Sequence, residues 1–350
     1  MPDGEVATEA KASRGHVLLV SPFVFSYHES ICEALLAAGY DVTWWDERAS
    51  SGTVYKLALR GFPRLTAAWS ERHFLDRLGR LDASAISHVL VVKGEGLSRK
   101  TVHRMRDTLA QASMGLYLWD GVENVRGVTS ILDAFDAVAT FDPKDAAERG
   151  WSYRPLFARS GNGASAGRTD VLFAWCFIGT LHSDRHRVLH RLRRASAESN
   201  HSFVFGYIPG RLMYLLRHLT DWTLWLAPKG SLSTRSMSAA DVRAHVDASR
   251  VVVDVEHPQQ RGLTMRTIET LMAGKKLATT NRHILASDLY DPSRVHVISR
   301  EHPSIPAAFL GIPFVPIPDI LRRKYSCEGW VSELLGSQQM AFDRQKLFRS

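Results

Sequence analysis

Residues 257–281, HPQQRGLTMRTIETLMAGKKLATTN, crowd two arginines, a glycine turn and a glutamate behind an apolar run, RVVVDVE at 250–256. The chain turns at Gly262 and a helix opens near Thr264, so free backbone N–H groups at the helix start face a phosphate or another anion. Arg261 and Arg266 flank that start, and a guanidinium fork suits paired phosphate oxygens. His257 and Leu263 complete the loop. Glu269 lies one turn beyond Met265 and three residues beyond Arg266. Its carboxylate can accept two hydrogen bonds from a vicinal diol such as a ribose. The competing reading makes it a solvated partner of Arg266 at helical spacing.

A second stretch, FIGTLHSDR at 177–185, ends a buried-type strand in Gly179-Thr180. Gly179 lets a ligand approach the backbone, and Ser183 or Asp184 can cap the helix behind it. Thr180, His182 and Arg185 offer donors toward a diphosphate. His182, His186 and His190 recur at helical spacing, which raises a metal site as a question. The segment supplies no other ligand type and runs on into RLRR, so a solvated basic helix face is the better reading, with no metal.

The first half contributes candidates of another kind. In WDGVEN (119–124), Asp120 and Glu123 follow a buried strand directly. Transfer of a group to a hydroxyl needs a side chain to take or orient the hydroxyl's proton, and a desolvated carboxylate does this. His28, after the first strand, is an alternative base. KGEG (93–96) brings Lys93 and Glu95 to the same rim. For each of these the helix-cap or ion-pair reading stands beside the catalytic one.

The elements that must position these residues read as α/β throughout. Apolar runs at 16–20, 41–46, 88–93, 115–120 and 137–142 alternate with helical stretches at 29–38 and 98–112. After a Gly/Ser-rich linker at 159–169 the alternation restarts. Strands are expected at 172–179, 201–207, 250–256, 276–280 and 295–299, and helices at 184–197, 238–249 and 264–273. Continuous apolar runs separated by helices imply parallel, doubly wound sheets. The expected division is a tail at 1–14, a first domain at 15–158, a second at 170–335 and a C-terminal tail at 336–350. Ligands of such a pair bind outside the carboxyl ends of the strands, in the cleft between the domains.

The strand, the loop, the Glu-bearing helix and the GKKL strand resemble the donor half of GT-B glycosyltransferases. LYLWD (116–120), TFDPKD (140–145), FIGTLHSDR and GLTMRTIETLMAGKKLATTN are similar to stretches of a bacterial family of capsular, lipopolysaccharide and exopolysaccharide sugar transfer. The likeness runs from about His16 to Trp330. It implies a GT-B fold, two Rossmann-like domains with parallel sheets facing across a cleft, the acceptor mainly in the first and a nucleoside diphosphate sugar in the second. It implies that Glu269 holds the ribose, and that no cofactor or divalent metal is needed. Many retaining GT-B enzymes carry a second glutamate eight positions earlier, where this chain has Arg261, so the retaining outcome does not carry over. SPFVFSYHES (21–30) stands where many GT-B enzymes have a glycine-rich first loop.

Bulk properties set the outer bounds. The 350 residues suit two domains, and 44 Lys+Arg against 36 Asp+Glu give a net charge of +8, suited to an anionic partner. Basic residues are dispersed without a nucleic-acid-binding signature, and no GxGxxG follows the first strand, which excludes the usual dinucleotide fingerprint. Three separated cysteines fit a reducing, cytoplasmic setting. Residues 53–81 mix Arg and Lys with Leu, Phe and Trp, and the strongly apolar 211–228 carries Arg211, Arg217, Trp222 and Trp225; helices at an anionic membrane surface have this make-up, although core-facing helices read the same way. A lipid-linked saccharide acceptor accounts for both stretches and the charge. The alternative function is a non-catalytic sugar-nucleotide-binding or scaffold protein on the same fold.

Overall fold

The computed structural model describes residues 13–24, 26–48, 63–159, 171–195, 201–228 and 230–349. The expected N-terminal tail up to residue 12, most of the linker, and residues 53–62 of the first basic stretch lie outside them. The chain divides into two units, residues 1–155 with 326–350, and residues 156–325.

In the first unit the order is β1 His16–Ser21, α1 Tyr27–Ala37, β2 Asp41–Asp46, α2 Pro63–Leu78, β3 Ile86–Val92, α3 Arg99–Thr108, β4 Ser113–Leu118, β5 Ala137–Thr140, α4 Pro143–Arg149 and β6 Ser152–Tyr153. These strands form one parallel sheet in the order β2-β1-β3-β4-β5-β6. Its central strands are buried nearly end to end, as sheets covered on both faces require. Because β2 lies on one side of β1 and β3 on the other, the chain reverses its winding between β1 and β3. The loops after those strands are where such a sheet exposes a ligand crevice.

The second unit repeats the plan with β7 Phe173–Thr180, α5 Arg185–Ala195, β8 Ser202–Tyr207, α6 Arg211–Thr220, β9 Leu232–Ser233, α7 Ala239–Asp247, β10 Ser249–Asp254, α8 Met265–Met272, β11 Lys276–Thr279, β12 Val295–Val297, α9 Ala307–Gly311 and α10 Asp319–Lys324. Its parallel sheet runs β12-β11-β10-β7-β8-β9, so the winding reverses between β7 and β10. The two stretches richest in candidate donor-binding residues follow those two strands.

One expectation fails here. Residues 336–350, read as a tail, belong to a long final helix, α11 Cys327–Arg349, which returns to the first unit. Trp330, Val331, Leu334, Leu335 and Phe342 are buried. Trp330 stands edge-on to Tyr117 of β4 with ring centroids 4.7 Å apart. Gln338 crosses β4 so closely that a Cβ on Gly115 would lie 2.2 Å from its Oε1, and its Nε2 donates to the Ser113 hydroxyl at 3.1 Å. The helical spacing 331, 334, 335, 338, 342 was present in the sequence; the polar residues between hid it.

Candidate functional site

Asp254 ends β10, is 1% exposed, and organises the helix behind it. Its Oδ2 accepts hydrogen bonds from the hydroxyls of Thr264 (2.5 Å) and Thr267 (2.9 Å). Thr264 Oγ1 in turn accepts the Thr267 N–H, so it is the N-cap of α8. Expected as a donor-binding residue, Thr264 has its hydroxyl committed to fixing the helix start. Gly262 and the buried Leu263 shape the turn before it, and the Gly262 carbonyl accepts from Gln260 (3.1 Å) and Asn281 (3.2 Å).

Arg266 is the first long side chain of α8 to reach the rim. Its guanidinium lies across Gly179: a Cβ there would be 2.7 Å from Nη1 and 2.8 Å from Nη2. The group also sits over the Phe177 ring, 5.3 Å from its centroid. The absence of a side chain at the end of β7 is what lets the cation lie there. Nη1 is buried and meets no hydrogen-bond acceptor among the described residues. A buried guanidinium donor without an acceptor is costly unless an anion completes it.

Glu269 follows on the same helix, half-buried, with Oε1 2.8 Å from Arg159 Nε. The competing reading, a solvated pair with Arg266, does not hold: Glu269 pairs with Arg159, and the Arg266 side chain turns toward β7. Arg261 makes no side-chain hydrogen bond or ion pair among the described residues, and its guanidinium stays available at the loop.

The loop after β7 departs further from expectation. Arg185 is buried, and its Nε and Nη1 donate to the carbonyls of Val255 and Thr180, the latter at 2.8 Å. It was expected on a diphosphate; instead it staples the end of β7 to the loop after β10. Burial, before any neighbouring charge, pulls its guanidinium down to about 10. Neither expected residue caps α5 through its side chain. Ser183 adopts a left-handed φ of 50°, and Asp184 accepts two hydrogen bonds from Arg300 Nη1, at 2.8 and 3.0 Å. Nη2 of the same arginine reaches Glu256, carbonyl and carboxylate, at 2.8 and 2.7 Å. Glu256 also accepts from the Thr280 hydroxyl.

The imidazoles of His182 and His257 come together at this rim, their centroids 5.8 Å apart. Burial first, then Arg185, His257, Arg217 and Arg266, drive His182 down to about 4, so near neutrality it is an uncharged hydrogen-bonding group. His186 is not on a solvated face: it is buried against the Thr223 hydroxyl at 2.9 Å, and burial lowers it to about 4.

In the first unit Lys93, at a positive φ of 75°, bridges Glu95 (3.0 Å) and Asp120 (3.1 Å). The catalytic reading of Asp120 thus acquires an ion-pair partner. Glu123 sits exposed on a short turn at Val122–Asn124. His28 is buried, with the rings of Trp44 and Phe23 tilted against it at 4.2 and 5.0 Å; its Nε2 lies 3.9 Å from the Glu29 carboxylate, and its Nδ1 has no partner among the described residues. A hollow of about 300 Å³ adjoins Glu95, Gly96 and Ser98, with Glu71, Arg99 and Arg126 around it.

Sequence reasoning missed Glu47, directly after β2. It is 1% exposed, and among the described residues neither carboxylate oxygen has a partner at normal hydrogen-bond geometry, the Gly96 backbone being the nearest donor. Burial pushes its carboxyl up to about 7, and the nearby charges of Arg48 and Lys93 offset this only in part. It also missed Asp254, Glu256 and Arg300. An acid closing an apolar strand, as in VVVDVE, was a readable signal for the first two. Arg300 carries no local signal.

No family model matches the chain, and no curated protein matches it in sequence. Among solved structures it is similar to Anabaena HepE in complex with UDP and glucose, with a TM-score of 0.52 and 9% identity over 95% of this chain and 99% of that one. It is similar to a glycosyltransferase from Rickettsia africae, with a TM-score of 0.51 and 10% identity over 97% and 98%. The catalytic domain of starch synthase IV from Arabidopsis thaliana, bound to ADP and acarbose, gives a TM-score of 0.51 and 9% identity over 95% and 99%. At such identities the likeness is one of fold: two Rossmann-like units with parallel six-stranded sheets, the architecture of GT-B glycosyltransferases.

Proposed function

We propose that the chain is a glycosyltransferase that moves a sugar from a nucleoside diphosphate sugar to a saccharide acceptor, lipid-linked, in cell-surface polysaccharide biosynthesis at the cytoplasmic face of a membrane. The observation that carries this reading is Arg266: a guanidinium laid over Gly179 at the switch point, with a buried donor lacking an acceptor. UDP in the HepE complex and ADP in the starch synthase complex support a nucleoside diphosphate as the anion.

In this reading Arg266 and Arg261 neutralise the diphosphate, and Glu269 accepts from the ribose hydroxyls. Arg185 and Arg300 act as positioning residues that hold the two loops. The acceptor oxygen bonds to the anomeric carbon as the bond from that carbon to the diphosphate oxygen breaks. The acceptor proton passes to a base on the first unit's rim, where Asp120, Glu123 and His28 are the candidates. The electron pair leaves with the diphosphate, and fixed cations beside it lower the barrier. Guanidinium groups take the place of a divalent ion, so binding survives chelators. A non-catalytic nucleotide-sugar binder is the second reading, favoured by the Lys93–Asp120 pair, which ties up one candidate base.

Calorimetry with UDP, GDP, CDP, ADP and dTDP, without added metal, tests the proposal. One nucleotide should bind selectively. Arg266→Ala should weaken it by roughly thirtyfold or more, and Glu269→Ala by about tenfold, the usual loss for charge-assisted hydrogen bonds. Binding of none by folded protein, or equal affinity in both variants, would sink the assignment. Tight binding without sugar transfer would favour the second reading.

A further inference from the structure

Helix α6, Arg211–Thr220, follows β8 and has no buried residue at all. Leu219 and Leu212 are 81% and 72% exposed, and Leu215, Leu216 and Met213 are exposed with them. The turn Trp222–Leu226 continues the surface, with Trp225 and Trp222 70% and 68% exposed. This turn is a fixed part of the unit. The Trp225 indole N–H donates to the His218 carbonyl at 2.9 Å, and its ring stands edge-on to His218 at 5.2 Å. A ten-residue helix gains little stability from propensity alone, and contiguous exposed leucine and tryptophan side chains on a soluble protein mark an interaction surface.

The edge of this surface is basic. Arg187, Arg191 and Arg194 of α5 line a groove of about 910 Å³ that they share with Trp222, His302 and one carboxylate, Glu301. Arg187 is held 3.3 Å from Asp221, and Arg191 donates to the Arg300 carbonyl at 3.0 Å. Arg194 and Arg211 make no ion pair among the described residues. The helix begins just after β8, which pairs with β7 up to Thr180 opposite Tyr207, so its first turn lies at the same end of the sheet as the loop after β7.

We infer that this face docks onto a lipid bilayer containing anionic phospholipid. The leucines of α6 with Trp222 and Trp225 enter the acyl boundary, and the α5 arginines meet headgroup phosphates. Apolar side chains flanked by arginine, with aromatic rings at the boundary, suit a membrane interface. A second copy of the chain fits worse, since a twofold contact sets the same arginine-edged patch against itself in a protein of net charge +8. The inference deepens the proposed function by placing the donor site next to a surface that carries lipid-linked acceptors. It draws on that reading for the acceptor alone, because lipid binding requires no transfer.

The test is sedimentation of the full chain with phosphatidylcholine vesicles, with and without phosphatidylglycerol, in the absence of nucleotide. Binding should require the anionic lipid and weaken as salt is raised. Leu212→Ser with Leu219→Ser should weaken it roughly tenfold or more. Arg194→Ala and Arg211→Ala should each weaken it about fivefold. Brominated acyl chains should quench tryptophan fluorescence in the parent, and less in Trp222→Phe with Trp225→Phe. Nucleotide affinity should be unchanged in the leucine variant, which shows that it is folded and separates this inference from the transferase reading. No binding to anionic vesicles, equal binding by the leucine variant, or concentration-dependent dimerisation that the leucine variant abolishes would overturn the bilayer assignment.

Discussion

The two switch points share a topology and treat their charged side chains in opposite ways. Behind β7 and β10, acids and carbonyls hold cations: half-buried Asp184 and buried Glu256 grip Arg300, and carbonyls of both loops fix Arg185. Asp254 pins the start of the helix that carries Arg266. Only then is one guanidinium donor left without an acceptor. Behind β1 and β3 the titratable groups are held less completely. Lys93 bridges two carboxylates in partial solvent, Glu123 stands exposed, His28 lies against the rings of Trp44 and Phe23, and Glu47 is buried with no ion pair among the described residues. The first arrangement is preorganised for a fixed anion. The second suits a neutral, hydroxyl-rich ligand whose protons must move.

Breaking the network on the second rim should have the largest effect on the fold. Arg300→Ala leaves Glu256, 5% exposed, without its ion-pair partner. Removing one member of a buried pair typically costs about 3 kcal/mol or more. Urea denaturation should show that loss, together with weaker nucleotide binding as the loops relax. A variant within ~0.5 kcal/mol of the parent would mean that the network does not hold the rim.

On the first rim the corresponding probe is pH. The native Glu47 carboxyl lies near 7 against a usual 4.5, so the folded state binds the extra proton. Stability should therefore fall as pH rises from ~4.5 to ~7, by about 3 kcal/mol at most from this group, and level off above. Glu47→Gln should flatten that slope in a series of denaturation curves. An unchanged slope would assign the pH dependence elsewhere.

A smaller, local test addresses the cation itself. Gly179→Ala should displace the flexible end of Arg266 and leave the backbone alone, since the atoms a methyl group meets are its guanidinium nitrogens. Nucleotide affinity should fall about tenfold while thermal stability changes by less than ~1 kcal/mol. An unchanged affinity would mean that the guanidinium position is not what binds.

How much of this was readable follows from the range of each interaction. The strand ends and the Arg266–Glu269 helix come from local periodicity, and the structure places them close to where the pattern does. What decides each side chain's task is long-range. Arg185 and Arg266 read alike as phosphate-facing cations, yet one is consumed by carbonyls of Thr180 and Val255 and the other is not. Glu269 meets Arg159, 110 positions away, rather than its helical neighbour. Glu47 looked like a polar residue after a strand, and only the packing around it makes it buried. Composition along a helix likewise hid α11, whose partners lie on β4, more than 200 residues earlier.

The mildest expected effect concerns Asp120, and it separates the two readings of the first rim. Its carboxylate already shares the Lys93 ammonium with Glu95, and it is 44% exposed. Losing one half-exposed partner of a three-membered cluster should cost under ~1 kcal/mol in stability. The Lys93 ammonium, 3.1 Å from Oδ2, already occupies one oxygen of this carboxylate. Asp120→Asn should therefore lower kcat by less than ~tenfold, since orienting the acceptor hydroxyl requires an acceptor atom more than a charge. A fall of a hundredfold or more with KM unchanged would make Asp120 the proton acceptor and the lysine its tuning partner. A small change would turn attention to His28 and Glu123 as the places where the acceptor's proton goes.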